Sequence, residues 1–364
     1  MLPADISPAV LEIDLAAVVA NWRLLSAQHP SGPVAGVVKA DAYGLGARKI
    51  APALQDAGCR HFFTARLEEA LTLRPLLPGA MLAVLDDLIV GTERIYREHG
   101  IVPVLGSLEE IACWRAESHR TGASLEAILH IDTGMARLGL MEKEVLALAT
   151  EPSLLEGIAV RYVMTHLVSA EQPDDPLNER QRQRFAFLAA RLPPAPRSLA
   201  NSSGIFLGPR FASDLARPGA ALYGVNPTPG RPNPMHPVVR LRARVLAVRE
   251  LEAGASVGYN ATWHAGRPSR IATLGLGYAD GWLRSLSNRG AAYFDGHRLA
   301  LVGRVSMDLT TYDATDQAQL APGAWLELIG PAQPLSALAE AAGTNEYEIL
   351  TSLGQRYHRV WLGA

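Results

Sequence analysis

Eight times between residues 34 and 224 a short apolar run gives way to a longer polar or amphipathic segment. The runs are VAGVVK, HFFTA, MLAVL, IVPVL, LEAILHID, GIAVRYVMTH, RSLAN and SDLAR. Behind the first six lie ARKIAPALQDAG, RLEEALTLRPLL, VGTERIYREHG, SLEEIACWRAESHR, MEKEVLALAT and NERQRQRFAFLAARL, which carry the apolar spacing of helices. SSGIFLG and PGAALYG supply shorter helical turns behind the last two. Parallel strands need helical crossovers and are covered on both faces by them. Eight such units in succession predict an α/β architecture, a TIM-like (β/α)8 barrel.

The rhythm stops at NPTPGRPNPMHPV, residues 226–238, whose prolines and glycines mark a boundary. Beyond it VVRLRARVLAVREL, SRIATLGLGYADGW, GAAYFDGHRLALVGRVSMDLTTYDA and AWLELIG are alternating or β-branched runs split by Gly and Asp turns, with one helix, LSALAEAAG, near the end. At 364 residues the chain exceeds the size at which a single core keeps growing. The expected division is a barrel over residues 1–230, with the first dozen or so packing on the second domain, and a mostly β C-terminal domain over 231–364.

Charge and composition remove several classes of function. With 34 basic and 36 acidic residues interspersed, the chain has no broad basic field for nucleic acid. No run approaches the ~18 apolar residues of a membrane span, and MLPADISPAVLEID lacks the basic-then-apolar order of a secretory signal. Cys59 and Cys113 are too few and too far apart for a metal site or a disulfide framework. The expectation is a cytoplasmic protein with no metal and neither nucleic acid nor membrane as partner.

In such a barrel the chemistry lies at the C-terminal ends of the strands. Lys39 ends the first strand, Asp132 and Arg137 follow the fifth, His166 ends the sixth, Asn201 and Ser202 the seventh, and Arg217 the eighth. Each has a bland reading. A strand-end lysine ordinarily snorkels to water; held at a barrel mouth with a lowered pKa, it becomes an amine able to form a Schiff base with a cofactor aldehyde. An arginine behind DTGM can pair with a surface acid as readily as bind an anion. A lone strand-end histidine is more often part of the core, and Asn201 or Ser202 can simply cap the next turn, although the same geometry cradles phosphate. The turn after Lys39, with Gly44 and Gly46, reads as flexible.

Seven segments decide among these readings by occurring together and in order: VVKADAYGLG, HIDTGMARLGL, MTHLVSA, NSSG, RPGAALYG, VGYNAT and GRVSMD. Over essentially its full length the chain resembles the alanine racemases, fold-type-III enzymes that use pyridoxal 5′-phosphate. The resemblance implies that Lys39 is both the Schiff-base lysine and one catalytic base. It further implies that Tyr43, Ser202, Gly219 and Ala220 hold the cofactor phosphate, that Asn201 also belongs to the cofactor site, that His166 lies beside the pyridine ring and that Arg217 contacts its nitrogen. Arg137 would bind the substrate carboxylate. The family is a homodimer in which Tyr259, the second base, completes the other subunit's site together with Met307 and the supporting Asp308.

Three positions depart from the family pattern. His130 stands where many members have a lysine, Ser198 where many have a histidine, and Gln355 where a tyrosine often reaches the phosphate, with Tyr357 a shifted substitute. The alternatives weighed are a serine or broad-specificity racemase, a non-catalytic pyridoxal phosphate carrier, and a fold-type-III decarboxylase. The second domain with Tyr259 speaks against the carrier, which resembles this chain only through its barrel, and Arg217 speaks against the decarboxylase.

Overall fold

A computed structural model describes residues 3–86 and 88–363. The chain divides into two compact units, one of Met1–Ala17, Tyr43–Leu45 and Pro237–Ala364, the other of Val18–Ala42 and Gly46–His236.

β1 (Ala9–Asp14) belongs to the first unit, and the larger second unit contains β2 (Gly36–Val37), β3 (His61–Thr64), β4 (Met81–Val84), β5 (Val102–Leu105), β6 (Leu125–His130), β7 (Ile158–Met164) and β8 (Arg197–Ser198). These seven pair in parallel and strictly in chain order, β2 to β8. The predicted eighth strand, SDLAR, does not form one. Its place is taken by a single parallel bridge between Val34 and Ala216, flanked by Ala35 N–H to Ala216 O at 2.9 Å on one side and Leu215 N–H to Arg197 O at 3.2 Å on the other. Pro218 brings no N–H to continue a ladder, and the Asp214 carboxylate is already spent on the Arg197 N–H at 2.7 Å.

Inside the sheet, Ala35, Val37, Phe63, Ala83, Val102, Val104, Ile128, Tyr162, Met164 and Leu215 form one buried cluster. These inward-facing side chains make the barrel a packed core rather than a pore. Its helices start and stop on local signals. Ser107 and Glu110 form a reciprocal capping box on Leu108–Thr121. Asp175 caps Pro176–Ala189 by accepting the Leu177 N–H at 2.8 Å. Gly122, at φ 67, ends the former in a left-handed turn.

The other unit is mostly β. Its strands are β1, β9 (Val239–Leu251), β10 (Ser256–Val257), β11 (Trp263–His264), β12 (Ser269–Leu274), β13 (Ala291–Phe294), β14 (His297–Ala300), β15 (Thr310–Asp313), β16 (Trp325–Ile329) and β17 (His358–Leu362). β1 lies between β9, antiparallel, and β17, parallel. Two helices, Leu335–Ala342 and Glu346–Ser352, precede the last strand, where one helix was expected. The Tyr43–Leu45 segment is tied to this unit by Arg359 Nη1 to Gly44 O at 2.6 Å and Trp361 Nε1 to Leu45 O at 3.2 Å. Among the described residues, no helix is long and apolar enough to cross a membrane.

Candidate active site

Lys39 follows β2 and opens a turn quite unlike the flexible one expected. Ala40, Asp41, Ala42 and Tyr43 have φ of 51, 53, 54 and 55°, four consecutive non-glycine residues in the left-handed region. Each such residue costs roughly 1–2 kcal/mol, so the turn persists only because its surroundings hold it. Ala42 N–H bonds Val38 O at 2.9 Å and Gly46 N–H bonds Asp41 O at 2.9 Å. The Asp41 carboxylate accepts the Ala47 N–H at 2.8 Å, and the Glu69 carboxylate accepts the Ala40 N–H at 2.6 Å. Lys39 itself is partly buried. Burial lowers its pKa from the usual lysine value and the Arg137 charge lowers it further, against the opposing pull of Asp86 and Glu69.

Arg137 stands on a loop shaped by Asp132, whose Oδ1 accepts the N–H groups of Gly134 and Met135 at 2.9 Å and of Ala136 at 3.2 Å. Burial alone would raise the Asp132 pKa; those N–H donors hold it below the ordinary value. The loop folds back on the strand through Leu140 N–H to His130 O at 2.7 Å and Asp132 N–H to Leu140 O at 3.0 Å. A Cβ on Gly139 would sit 2.8 Å from Asp132 N, so the return requires glycine. His130 is buried, and desolvation first, then the Arg217 charge, push its pKa down to about 4. Arg137 is exposed and its charge acts on Lys39, His130 and His166 alike.

His166 behaves the same way, its pKa pushed down to about 3 by burial and then by Arg217, Lys39 and Arg137. Both histidines are therefore neutral at ordinary pH. Arg217 is 5% exposed. It donates through Nη2 to Thr165 O at 2.5 Å and through Nη1 to Ser198 Oγ, which in turn donates to Leu215 O at 2.6 Å. Burial lowers its pKa to about 10, which leaves it charged. Lys39, Arg137, His166 and Arg217 thus meet in one charge-coupled cluster at the C-terminal strand ends.

Asn201 and Ser202 follow β8. Asn201 Oδ1 accepts the Gly204 N–H at 2.9 Å, the capping role. Ser202 Oγ accepts the N–H groups of Gly219 at 3.1 Å and Ala221 at 3.2 Å, which joins the Ser203–Phe206 turn to the Ala220–Tyr223 turn. A hydroxyl that accepts twice keeps its own proton to donate.

In the other unit, Tyr259 is 69% exposed on a tight turn in which Asn260 and Ala261 have φ of 62 and 47°. Gly258 packs this turn onto Gly303 and Arg304. The same chain runs on to Met307, 53% exposed, and Asp308. Ser306 O and Met307 O accept the N–H groups of Tyr278 and Ala279 at 3.0 and 2.9 Å. Arg356 bridges Asp308 at 2.7 Å and Asp280 at 2.8 Å. Tyr357 does not take the place of the missing tyrosine: it is 2% exposed, and its hydroxyl is sealed within this unit with no hydrogen-bond partner among the described residues. Gln355 is exposed.

Sequence reasoning passed over Gln181, which is wholly buried. Its Nε2 donates to Thr133 Oγ1 at 3.1 Å and His166 O at 2.9 Å while its Oε1 accepts the Val168 N–H at 2.8 Å. It ties the Asp132 loop to the His166 loop. Glu69 was also passed over, although a glutamate three residues into a helix is a legible capping signal.

Family models described as the alanine racemase N-terminal and C-terminal domains match residues 13–227 and 238–361. An alanine racemase of Acidiphilium cryptum is 57% identical over 350 residues, 96% of this chain and 98% of that protein. A catabolic alanine racemase of Mesorhizobium japonicum is 49% identical over 98% of this chain and 93% of its own. The crystal structure of the alanine racemase from Bartonella henselae with covalently bound pyridoxal phosphate superposes with a TM-score of 0.95 at 44% identity, over 98% of this chain and 100% of that one. With both domain models matched and relatives of this similarity along nearly its whole length, the chain belongs to the alanine racemase family.

Proposed function

We propose that this protein is a pyridoxal 5′-phosphate-dependent isomerase that interconverts L-alanine and D-alanine, as a homodimer in which each site combines Lys39 with Tyr259 of the partner subunit. The observation that carries the reading is Lys39, an amine at a barrel strand end whose neutral, basic form is favoured by burial and by Arg137.

The residues suit the cofactor. A lysine with a lowered pKa is a nucleophile for an aldehyde, Ser202 keeps a proton to donate to a phosphate beside Gly219 and Ala220, and Arg217 presents a fixed cation. When bound, pyridoxal phosphate captures an amine covalently and stabilises negative charge at the substrate α-carbon. Tyr43 would complete the phosphate contacts, Asn201 would support the cofactor from the neighbouring turn, and neutral His166 would serve the ring.

Racemisation needs a base on each face of the α-carbon. Lys39 Nζ takes or returns the proton on one face, and Tyr259 Oη of the partner subunit does so on the other. Arg137 fixes the substrate carboxylate, and Met307 of the partner subunit closes the substrate end, on a loop that Asp308 and Arg356 hold within each chain. Arg217, still a cation with its pKa at about 10, would disfavour a proton on a ring nitrogen placed beside it and so restrain competing reactions. The exposed Tyr259, Tyr278, Met307 and Leu309 supply an apolar face for the second subunit. The product serves peptidoglycan synthesis, or the reaction runs in alanine catabolism, in a cytoplasm where Cys59 and Cys113 stay reduced.

Lys39→Ala tests this directly. The variant should release its cofactor on dialysis after borohydride treatment and form no D-alanine from L-alanine in an assay coupled to D-amino-acid oxidase. Retained racemisation would overturn the assignment.

A further inference from the structure

Glu69 makes one bond more than its place in the helix requires. It is the third residue of Leu67–Leu73, and its Oε2 accepts the N–H groups of Arg66 at 3.2 Å and Ala65 at 2.8 Å. A capping glutamate needs nothing beyond that. Its second oxygen, Oε1, crosses to the neighbouring barrel unit and accepts the Ala40 N–H at 2.6 Å, 29 residues earlier in the chain. Ala40 is the residue after Lys39 and the first of the four left-handed residues. The far end of that turn is closed by Asp41 on Ala47; the end next to Lys39 is closed by Glu69. A cleft of about 290 Å³, lined by Val38, Asp41, Glu68 and Glu69 among others, borders the clamp.

We propose that Glu69 is a positioning residue for Lys39: its carboxylate spans two strand ends and holds the strained turn from which the lysine side chain reaches the barrel mouth. This rests on the reading of Lys39 as the amine that binds the cofactor. A role confined to helix capping would touch stability and, through the Glu69 charge that raises the Lys39 pKa, the share of neutral amine; losing that charge speeds attachment, the opposite of what losing the clamp does. A positioning role also sets how readily Lys39 captures the cofactor aldehyde.

The test is the rate at which pyridoxal phosphate attaches to the cofactor-free protein, trapped by borohydride and located by peptide mapping, in wild type, Glu69→Gln and Glu68→Gln. A glutamine has one acceptor oxygen, so it satisfies either Ala40 or the helix cap and not both. Loss of a hydrogen bond to a charged acceptor corresponds to about a ten- to hundredfold slower attachment in Glu69→Gln, with Glu68→Gln unchanged. Adding Ala40→Gly, which adopts positive φ without strain, should restore much of that loss. A Glu69→Gln protein with reduced thermal stability but wild-type attachment at Lys39 would overturn the inference and leave Glu69 a helix cap. Trapping at another lysine in wild type would instead overturn the reading of Lys39, and the positioning role with it. If Glu69→Gln does not fold, Glu69→Asp, one methylene too short to reach both partners, gives the same readout.

Discussion

Ser198→Ala isolates the contact that fixes the buried arginine. Ser198 is 1% exposed and Arg217 5%, so water does not replace what the substitution removes. The hydroxyl accepts from Arg217 Nη1 and donates to Leu215 O at 2.6 Å. Leu215 O keeps a second donor, Ser213 Oγ at 3.1 Å, so the loss that matters is the charge-assisted bond. Such bonds contribute about 1.5–3 kcal/mol. For a unit of this size each kcal/mol moves the midpoint by roughly 2–4 °C, which gives a drop of about 3–12 °C in the cofactor-free protein. A double-mutant cycle with Arg217→Met, read by urea unfolding, should return a coupling energy of about 1.5–3 kcal/mol. Racemisation should fall as well, through kcat rather than KM, if Arg217 serves the cofactor rather than the substrate as proposed above. Additive effects within about 0.5 kcal/mol, or an unchanged midpoint, would refute the reasoning.

Acid should destabilise the barrel through its histidines. The folded pKa values of His130 and His166, about 4 and about 3, lie below the unfolded value of 6.5. The unfolded chain therefore binds protons first, and stability present above pH 6.5 is lost as pH falls toward those values, by about 1 kcal/mol per pH unit for each group. Urea midpoints that fall no more steeply in the cofactor-free protein than in His130→Asn and His166→Asn would contradict this. In the β unit, a Cβ on Gly277 would lie 2.2 Å from Ser306 O and 2.4 Å from Met307 O, the two carbonyls that anchor the Met307 loop. Gly277→Ala should cost about 1–3 kcal/mol by overpacking and depress racemisation, whereas Gly266→Ala, with nothing within 4 Å, should have no overpacking cost. Equal thermal midpoints for the two variants would count against the loop's role.

The barrel was legible because seven of its strands repeat one local pattern, an apolar run before a helix. SDLAR failed because its pairing depends on neighbours far away in sequence and on Pro218, which local apolarity does not register. The seven motifs located the cluster of Lys39, Arg137, His166 and Arg217. The left-handed turn was hidden by its composition, since KADAY carries good helix formers and no glycine until Gly44. Its bonds run to residues outside the turn: Glu69 accepts the Ala40 N–H and Asp41 accepts the Ala47 N–H. Gln181 was equally hidden: its partner Thr133 lies 48 residues away, and a glutamine in a polar helix has no local mark of burial. Tyr357 shows the converse, a plausible spacing overruled by packing.

The most direct measurement is deuterium incorporation at the α-carbon, with chiral analysis, when the holoenzyme turns over L-alanine or D-alanine in heavy water, in wild type and in Tyr259→Phe. The two-base account predicts that both enantiomers exchange and racemise in wild type. In Tyr259→Phe one enantiomer should still exchange its α-proton with retention while racemisation collapses, because Lys39 serves only one face. Equal residual exchange from both enantiomers, or racemisation undiminished in Tyr259→Phe, would contradict it.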